Sequence, residues 1–345
     1  AAGQAGAEQE AAVQAAAVPQ AASLAEATGL TITADDGQPL VEGEDYTLEA
    51  DTATGTGGNL VVIRTERPIT VSGTSKGNYG IQVAAGVHAS ITFNNVTIKA
   101  PIPFDIVTNS MDTLTGKKAV TGAEVLHKTR VHLTLADASV NTLEVTPQST
   151  TLRAALRCGE GSELVIDDSV WNQTADGTAI VPQQGRVPYD CTLKNGTELK
   201  QGDPLWKMDS KNPGELNAVG GRRSAGIGGG LLENSGSITI NGGAIEATTY
   251  YTSDAESTGA AIGGGQAGGT GCVLEGGGLT VNGGKINAVG SYHGAGIGAG
   301  AANDYGMHTN EKGLPDSIPA RLGTSAYPAN YPQARLCESD RARAW

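Results

Sequence analysis

The sequence predicts an all-β protein, specifically a right-handed single-stranded parallel β-helix (a solenoid) with an N-terminal β cap. The chain has 50 Gly, 2 Phe and an aromatic content of 4%, so its core must be narrow and aliphatic. A Gly-Ile-Gly segment recurs at a fixed spacing, and an eight-residue strand-turn-strand pattern occurs repeatedly. One such unit cannot bury its apolar face alone, and the repeats are therefore expected to stack.

The region before the repeats is expected to contain a linker and the cap. Residues 1–28 are predicted to be a disordered Ala-rich linker, typical of the mature end that remains after a signal peptide is removed at a small-residue site. Residues 29–75 contain short alternating strands separated by Gly and Asp turns. Solenoids need a cap over their first open rung, and this segment is the predicted N-terminal β cap.

The β-helix itself is predicted over residues 76–302. Ile227, Ile262 and Ile297 are the centres of three Gly-Ile-Gly segments and lie 35 residues apart (262 minus 227 and 297 minus 262). Equal spacing indicates an array, in which Gly allows a close approach of neighbouring backbones.

The eight-residue pattern has apolar residues at its first, third and eighth positions and a small polar or Gly corner at its fourth and fifth. Period-two alternation places positions one and three on one face, and Asn, Asp or Gly supplies the turn. The five copies are Ile91–Ile98, Leu133–Val140, Leu164–Trp171, Ile238–Ile245 and Leu279–Ile286.

Two segments break the pattern. A Pro-containing stretch without alternation predicts a loop insertion near residues 182–221, and residues 303–345 predict an irregular C-terminal tail.

Charge and hydropathy exclude two classes of partner. A net charge of -13 and a pI near 4.8 argue against nucleic acid, because binding there needs clustered Lys and Arg. No run of 18 apolar residues occurs, and we expect no membrane span.

The four cysteines show no C-x-x-C pair, which argues against a structural zinc site or a thioredoxin-like motif. In an oxidising compartment three pairings are open, and Cys158 with Cys191 is favoured because both flank one coil and its following loop. The alternative is four buried or idle thiols.

Carboxylates at predicted corners suggest a metal hypothesis. Asp167 and Asp168 are the candidate ligands for Ca²⁺, since a hard cation requires several oxygens on a rigid turn. The default interpretation is that corner Asn and Asp side chains accept turn N–H groups. No other cofactor is expected.

A glycan site needs an exposed ring beside polar groups. Trp206 and the Tyr250–Tyr251 pair lie in predicted loops, where an aromatic residue has less structural reason to occur. The candidate ligand-binding residues are Trp206, Tyr189, Tyr250, Tyr251 and Tyr292.

A catalytic constellation is not apparent. The five His residues are scattered, and the adjacent Asp167 and Asp168 face different directions. A polysaccharide hydrolase or lyase would require converging carboxylates. We therefore predict no catalytic residues and no enzymatic activity.

Several segments resemble a family of large Gly-rich repeat surface proteins, of the carbohydrate-binding-domain type or adhesin-like, from anaerobic Gram-positive gut bacteria. The resemblance is carried by Ser224-Ala-Gly-Ile-Gly-Gly-Gly230, by GSITINGGAIEA at 236–247 and by LTVNGGKINAVGSYHGAGIGAG at 279–300, and it covers roughly residues 29–302. It implies a protein that is secreted or on the cell surface of a bacterium. The chain differs in lacking an LPxTG-type sorting signal.

The functional hypothesis is a non-catalytic extracellular surface module that binds a glycan or mediates adhesion to a host or microbial surface protein. The alternatives are a β-helical carbohydrate-active enzyme (a polysaccharide lyase or hydrolase) and a structural stalk.

Overall fold

The structure is a computed structural model, and within the part of the chain that it describes the protein is mostly β with one short helix at 24–28. The described residues are 24–50, 57–107, 111–112, 117–118, 128–168, 174–178, 180, 183, 186–194, 196–204, 207, 212–250, 259–266, 278–290, 294–298 and 300.

The described residues form 23 strands. The first twelve are β1 Leu30–Ala34, β2 Tyr46–Ala50, β3 Asn59–Ile63, β4 Ile69–Thr74, β5 Tyr79–Val83, β6 His88–Ala100, β7 Phe104–Ile106, β8 Met111–Asp112, β9 Lys117–Lys118, β10 Arg130–Leu135, β11 Val140–Val145 and β12 Leu156–Cys158. The others are β13 Glu163–Asp168, β14 Cys191–Thr192, β15 Glu198–Leu199, β16 Glu215–Val219, β17 Ile227–Gly228, β18 Ser237–Ile240, β19 Ala244–Thr248, β20 Ile262–Gly263, β21 Gly278–Val281, β22 Lys285–Val289 and β23 Ile297–Gly298.

A large sheet organises the fold. Nine parallel strands run in the order β21-β18-β13-β10-β6-β11-β16-β19-β22 and curl into a half-barrel. β6 lies in the middle, because β10 pairs with its first half and β11 with its second half. β4 also pairs with β6, and β1 pairs antiparallel with β4.

The prediction of an all-β, right-handed single-stranded parallel β-helix is wrong, and the solenoid is replaced by this curled sheet and a second, mixed sheet. The physical reason lies in β6, whose 13 residues run without a break through the predicted corner at Asn94 and Asn95. Asn95 has a φ of 58°, a left-handed conformation that Asn tolerates. The strand therefore bends there without leaving its sheet, and strands on both sides of the bend join one sheet.

The second sheet has eight strands in the order β2-β3-β5-β7-β12-β17-β20-β23, with β2 antiparallel to β3. Its last three strands carry the Gly-Ile-Gly segments, which pair in register. Gly228 has a φ of +131°, and a Cβ there would lie 2.0 Å from the carbonyl oxygen of Gly263. Only Gly permits this backbone approach.

The three copies of the eight-residue pattern that begin at Leu164, Ile238 and Leu279 are aligned with one another but shifted by two residues from the copies that begin at Ile91 and Leu133. Leu164 pairs with Val131 and not with Leu133, which faces Ile166 instead. A shift of two residues keeps each side chain on its own face. It also moves Asp167 from a corner to a position opposite Thr134, inside the strand pairing.

The core is aliphatic, as the composition predicts. It contains stacked inward side chains such as Ile91, Leu133, Ile166 and Ile240, each at most 1% exposed, and Phe93 and Phe104 meet edge to face with ring centroids 5.7 Å apart.

The region of the predicted insertion, 182–221, contains two kinds of structure among its described residues. β14 and β15 form a separate two-stranded sheet beside a small apolar cluster, whereas β16 belongs to the large sheet. The cluster consists of Ile180, Val187, Leu193 and Leu199.

Candidate functional site: a polar sheet face

The outward side of β6, β10, β13, β18 and β21 carries mostly polar side chains in rows that run across the strands, with Val165 as an apolar member between His132 and Thr239. Alternate residues of these strands point inward and are buried in all but the last strand, β21, so their neighbours point outward. Parallel pairing in register then aligns outward residues of successive strands. We call the outward side chains of these five strands the polar face.

The longest row runs along the carboxyl ends of these strands. It begins with Thr70 on β4 and ends with Asn282, the residue that follows β21. Its first four members are strand partners, and the backbone N–H groups of Asn241 and Asn282 donate to the neighbouring strand. The row consists of Thr70, Thr92, Thr134, Asp167, Asn241 and Asn282.

Side chains at the end of this row form a hydrogen-bonded chain. Asn282 Nδ2 donates to Asn241 Oδ1 at 2.7 Å, and Asn241 Nδ2 donates to Asp167 Oδ1 at 2.6 Å. The other carboxylate oxygen, Asp167 Oδ2, pairs with His132 Nε2 from the neighbouring row. This contact is the diagonal pair expected between adjacent strands.

The pair with Asp167 changes the acid–base behaviour of His132. The hydrogen bond to Asp167 raises the pKa of the imidazole above its usual value, although burial opposes the shift. His132 is half exposed, with a side-chain exposure of 50%, whereas that of Asp167 is 14%. The imidazole is therefore the solvent-facing member of the pair.

A second charged group lies beside this pair. The carboxylate of Glu163 on β13 forms ion pairs with Arg130 Nε at 2.7 Å and with Lys128 Nζ at 3.3 Å. The side chains of Arg130 and Lys128 are 55% and 48% exposed, and that of Glu163 is 29% exposed. On this part of the polar face the basic side chains are more exposed to solvent than the acidic side chain that they contact.

The predicted Ca²⁺ ligands do not converge. Asp167 and Asp168 are successive residues of β13 and fall on opposite sides of the sheet, with Asp168 only 2% exposed. Both oxygens of Asp167 already accept protein donors. Within the described parts of the chain, no group of three or more His, Cys, Asp or Glu residues could hold a metal ion.

Tyr189 and Tyr250 are not among the side chains of the polar face, and the other predicted aromatic ligand-binding residues lie outside the described residues. Tyr189 is 43% exposed and lies shortly before β14, in the region of the small sheet. Tyr250 is partly buried and follows β19. Trp206, Tyr251 and Tyr292 lie outside the described residues.

The two cysteines of the predicted disulfide are free thiols in the structure. Cys158 on β12 is buried, and burial raises the pKa of its thiol to about 12. Cys191 on β14 is partly exposed, and its pKa is also raised by desolvation.

Sequence reasoning missed a buried ionic cluster on the second sheet. Arg157 Nε and Nη2 donate to the two oxygens of Glu233 at 2.8 and 2.5 Å, and Nη1 donates to Asp105 at 2.7 Å. Gln82 Nε2 donates to the other oxygen of Asp105 at 2.8 Å. The acidic partners lie 52 and 76 residues from Arg157, and no local pattern links them.

Comparison with family models, with curated proteins and with solved structures found no match to this chain. None of the described segments forms a helix of the length and hydrophobicity that a bilayer span requires.

Proposed function

We propose that this protein is a non-catalytic extracellular surface module that binds a glycan on the polar face. The observation that carries the proposal is the in-register row from Thr70 to Asn282. Thr70, Thr92, Thr134 and Asn282 are its partly exposed hydroxyl and amide groups, and they lie on either side of the hydrogen-bonded Asp167 and buried Asn241. Such groups can both donate to and accept from sugar hydroxyls.

The dimensions of the row favour an extended polymer as the ligand. Neighbouring strands lie about 4.8 Å apart, so six positions span roughly 24 Å. A linear polysaccharide repeats its hydroxyl groups on a comparable scale and could contact several positions at once. Many weak contacts of this kind raise the overall affinity, because each further contact is made by a ligand that is already bound.

The charge of the chain supports a glycan over nucleic acid. Nucleic-acid binding requires many clustered Lys and Arg side chains along the phosphate backbone, and the chain has only 23 Lys and Arg against 36 Asp and Glu. The location at a bacterial surface is part of the proposal and comes from the resemblance in the repeat segments. Adhesion to a surface protein is the outcome that a negative glycan test would favour.

A glycan array with the purified protein, with and without Ca²⁺, tests the proposal. Thr134→Arg places a bulky charged side chain on the polar face and is expected to weaken binding at least about tenfold, because it blocks a contact row and not the core. The matched control is Thr142→Arg, another partly exposed outward Thr, on β11 in the other half of the large sheet.

Three results would count against the proposal. A blank array in both conditions would exclude glycan binding, and equal loss in Thr134→Arg and Thr142→Arg would exclude the polar face as the site. Release of new sugar ends or of unsaturated products from a bound glycan would contradict the non-catalytic role.

A further inference from the structure

The solvent-exposed ends of the polar face are basic around Lys128, Arg130 and His132. These side chains are 48%, 55% and 50% exposed, and each contacts a carboxylate that is more buried. A ligand that approaches from solvent therefore meets guanidinium, ammonium and imidazole groups first. This order of exposure is notable in a chain with a net charge of -13.

The stoichiometry of the contacts leaves cationic donors for a ligand. Glu163 is shared by Lys128 and Arg130, so one carboxylate balances two cations. A guanidinium has five N–H donors and an ammonium has three, and one carboxylate with two oxygens cannot accept all of them. Anionic ligand oxygens could use the remaining donors in charge-assisted hydrogen bonds.

The imidazole of His132 adds a proton-dependent donor. Its Nε2 atom is engaged by Asp167, and the other ring nitrogen, Nδ1, carries a proton only when the ring is an imidazolium. In the neutral ring with Nε2–H facing Asp167, Nδ1 is an acceptor. The same nitrogen therefore attracts a carboxylate at low pH and repels its lone pairs at high pH.

Among the residues that the structure describes, the remaining charged groups near His132 are few. β6 contributes His88 opposite Arg130, and Glu66 accepts the backbone N–H of His88 at 3.3 Å. β13 contributes Glu163 and Asp167, and Lys128 and Arg130 lie on or beside the same strand as His132. The outward residues of β18 and β21 are uncharged.

We infer that the polar face binds a carboxylate-bearing polysaccharide at Lys128, Arg130 and His132, and that binding is tighter when His132 is protonated. This inference rests on the proposed glycan-binding function and specifies its ligand class and its regulation. No covalent step is involved. The proton that His132 gains at low pH comes from solvent and remains on the ring.

The test compares polygalacturonic acid with its methyl ester, which has the same backbone without the charge. Titration calorimetry at pH 5.5 and pH 8.5 should give binding of the acid that is at least about fivefold tighter at the lower pH. The methyl ester should bind more weakly and equally at both pH values. His132→Gln should remove the pH dependence of binding to the acid.

A matched pair of lysine variants locates the site. Lys128→Gln should weaken binding of the acid about threefold or more at both pH values. Lys99→Gln is the control, because Lys99 is also an exposed lysine paired with a glutamate, Glu144, but lies at the other end of β6. It should leave affinity unchanged.

The outcomes separate this inference from the proposed function. If neutral glycans bind but polygalacturonic acid binds no better than its ester, the ligand class is wrong and glycan binding stands. If the acid binds equally at both pH values, the regulation is wrong. If no glycan binds at all, the proposed function fails, and the inference fails with it.

Discussion

Removal of the Arg157 guanidinium should strongly destabilise the protein. Arg157 connects two carboxylates, Asp105 and Glu233, and the three side chains are only 5% to 9% exposed. Arg157→Met keeps a long apolar stem but leaves both carboxylates buried without their cation. Breaking a buried ion pair by removing one partner costs about 3–5 kcal/mol, and here two acidic partners lose the same cation.

Urea unfolding followed by circular dichroism measures this cost as a shift of the unfolding midpoint. The control is Arg130→Met, which removes an exposed pair with Glu163 and should cost at most about 1 kcal/mol. An Arg157→Met cost below about 1 kcal/mol, or equal costs in the two variants, would refute the argument that buried charge compensation holds this part of the second sheet together.

Three further predictions concern single groups. The His132 pair with Asp167 raises the imidazole pKa, so its contribution to the free energy of unfolding should be complete below about pH 6.5 and lost as the pH rises through the higher pKa of the folded state. The difference in unfolding free energy between wild type and His132→Gln should therefore shrink between pH 5.5 and pH 9. A constant difference would contradict this prediction. Cys158, buried with a pKa of about 12, should be alkylated by iodoacetamide far more slowly than Cys191, as peptide mass spectrometry can measure, and equal rates would disprove the burial of that thiol. Gly263→Ala should lower the free energy of unfolding, measured by urea denaturation, by roughly 3 kcal/mol or more, since its Cβ would lie 1.9 Å from a backbone oxygen. A neutral effect would exclude that packing.

Much of the local structure could be predicted from the sequence, because alternation determines which side chains face inward. Ile238 and Ile240 are buried and Thr239 between them is partly exposed, as period-two alternation requires. Equal spacing of Ile227, Ile262 and Ile297 likewise agrees with their register across three strands.

The arrangement of the strands was beyond that reasoning. An Asn corner in the sequence does not distinguish a break in the backbone pairing from a bend within one strand, and Asn95 supplies the bend. The distinction depends on φ values and on long-range pairing, which no local pattern contains. A single-stranded coil was therefore predicted where a curled sheet occurs.

The candidate site illustrates the same limit. Asp167 was assigned to a corner because the pattern was aligned on Leu164, whereas the true register is shifted by two residues and brings Asp167 to His132. Residues 35 apart in sequence become neighbours only once that register is known. The partners of Arg157 are further away still and share no repeat position.

The most direct test of the central claim is to find where a bound glycan lies. A photoreactive derivative of a glycan selected from the array would be cross-linked to the protein, and the labelled peptides identified by mass spectrometry. Binding on the polar face predicts labels within residues 128–135 and 163–168. Labels confined to peptides that carry Trp206, Tyr251 or Tyr292 would contradict it and assign binding to the aromatic segments instead.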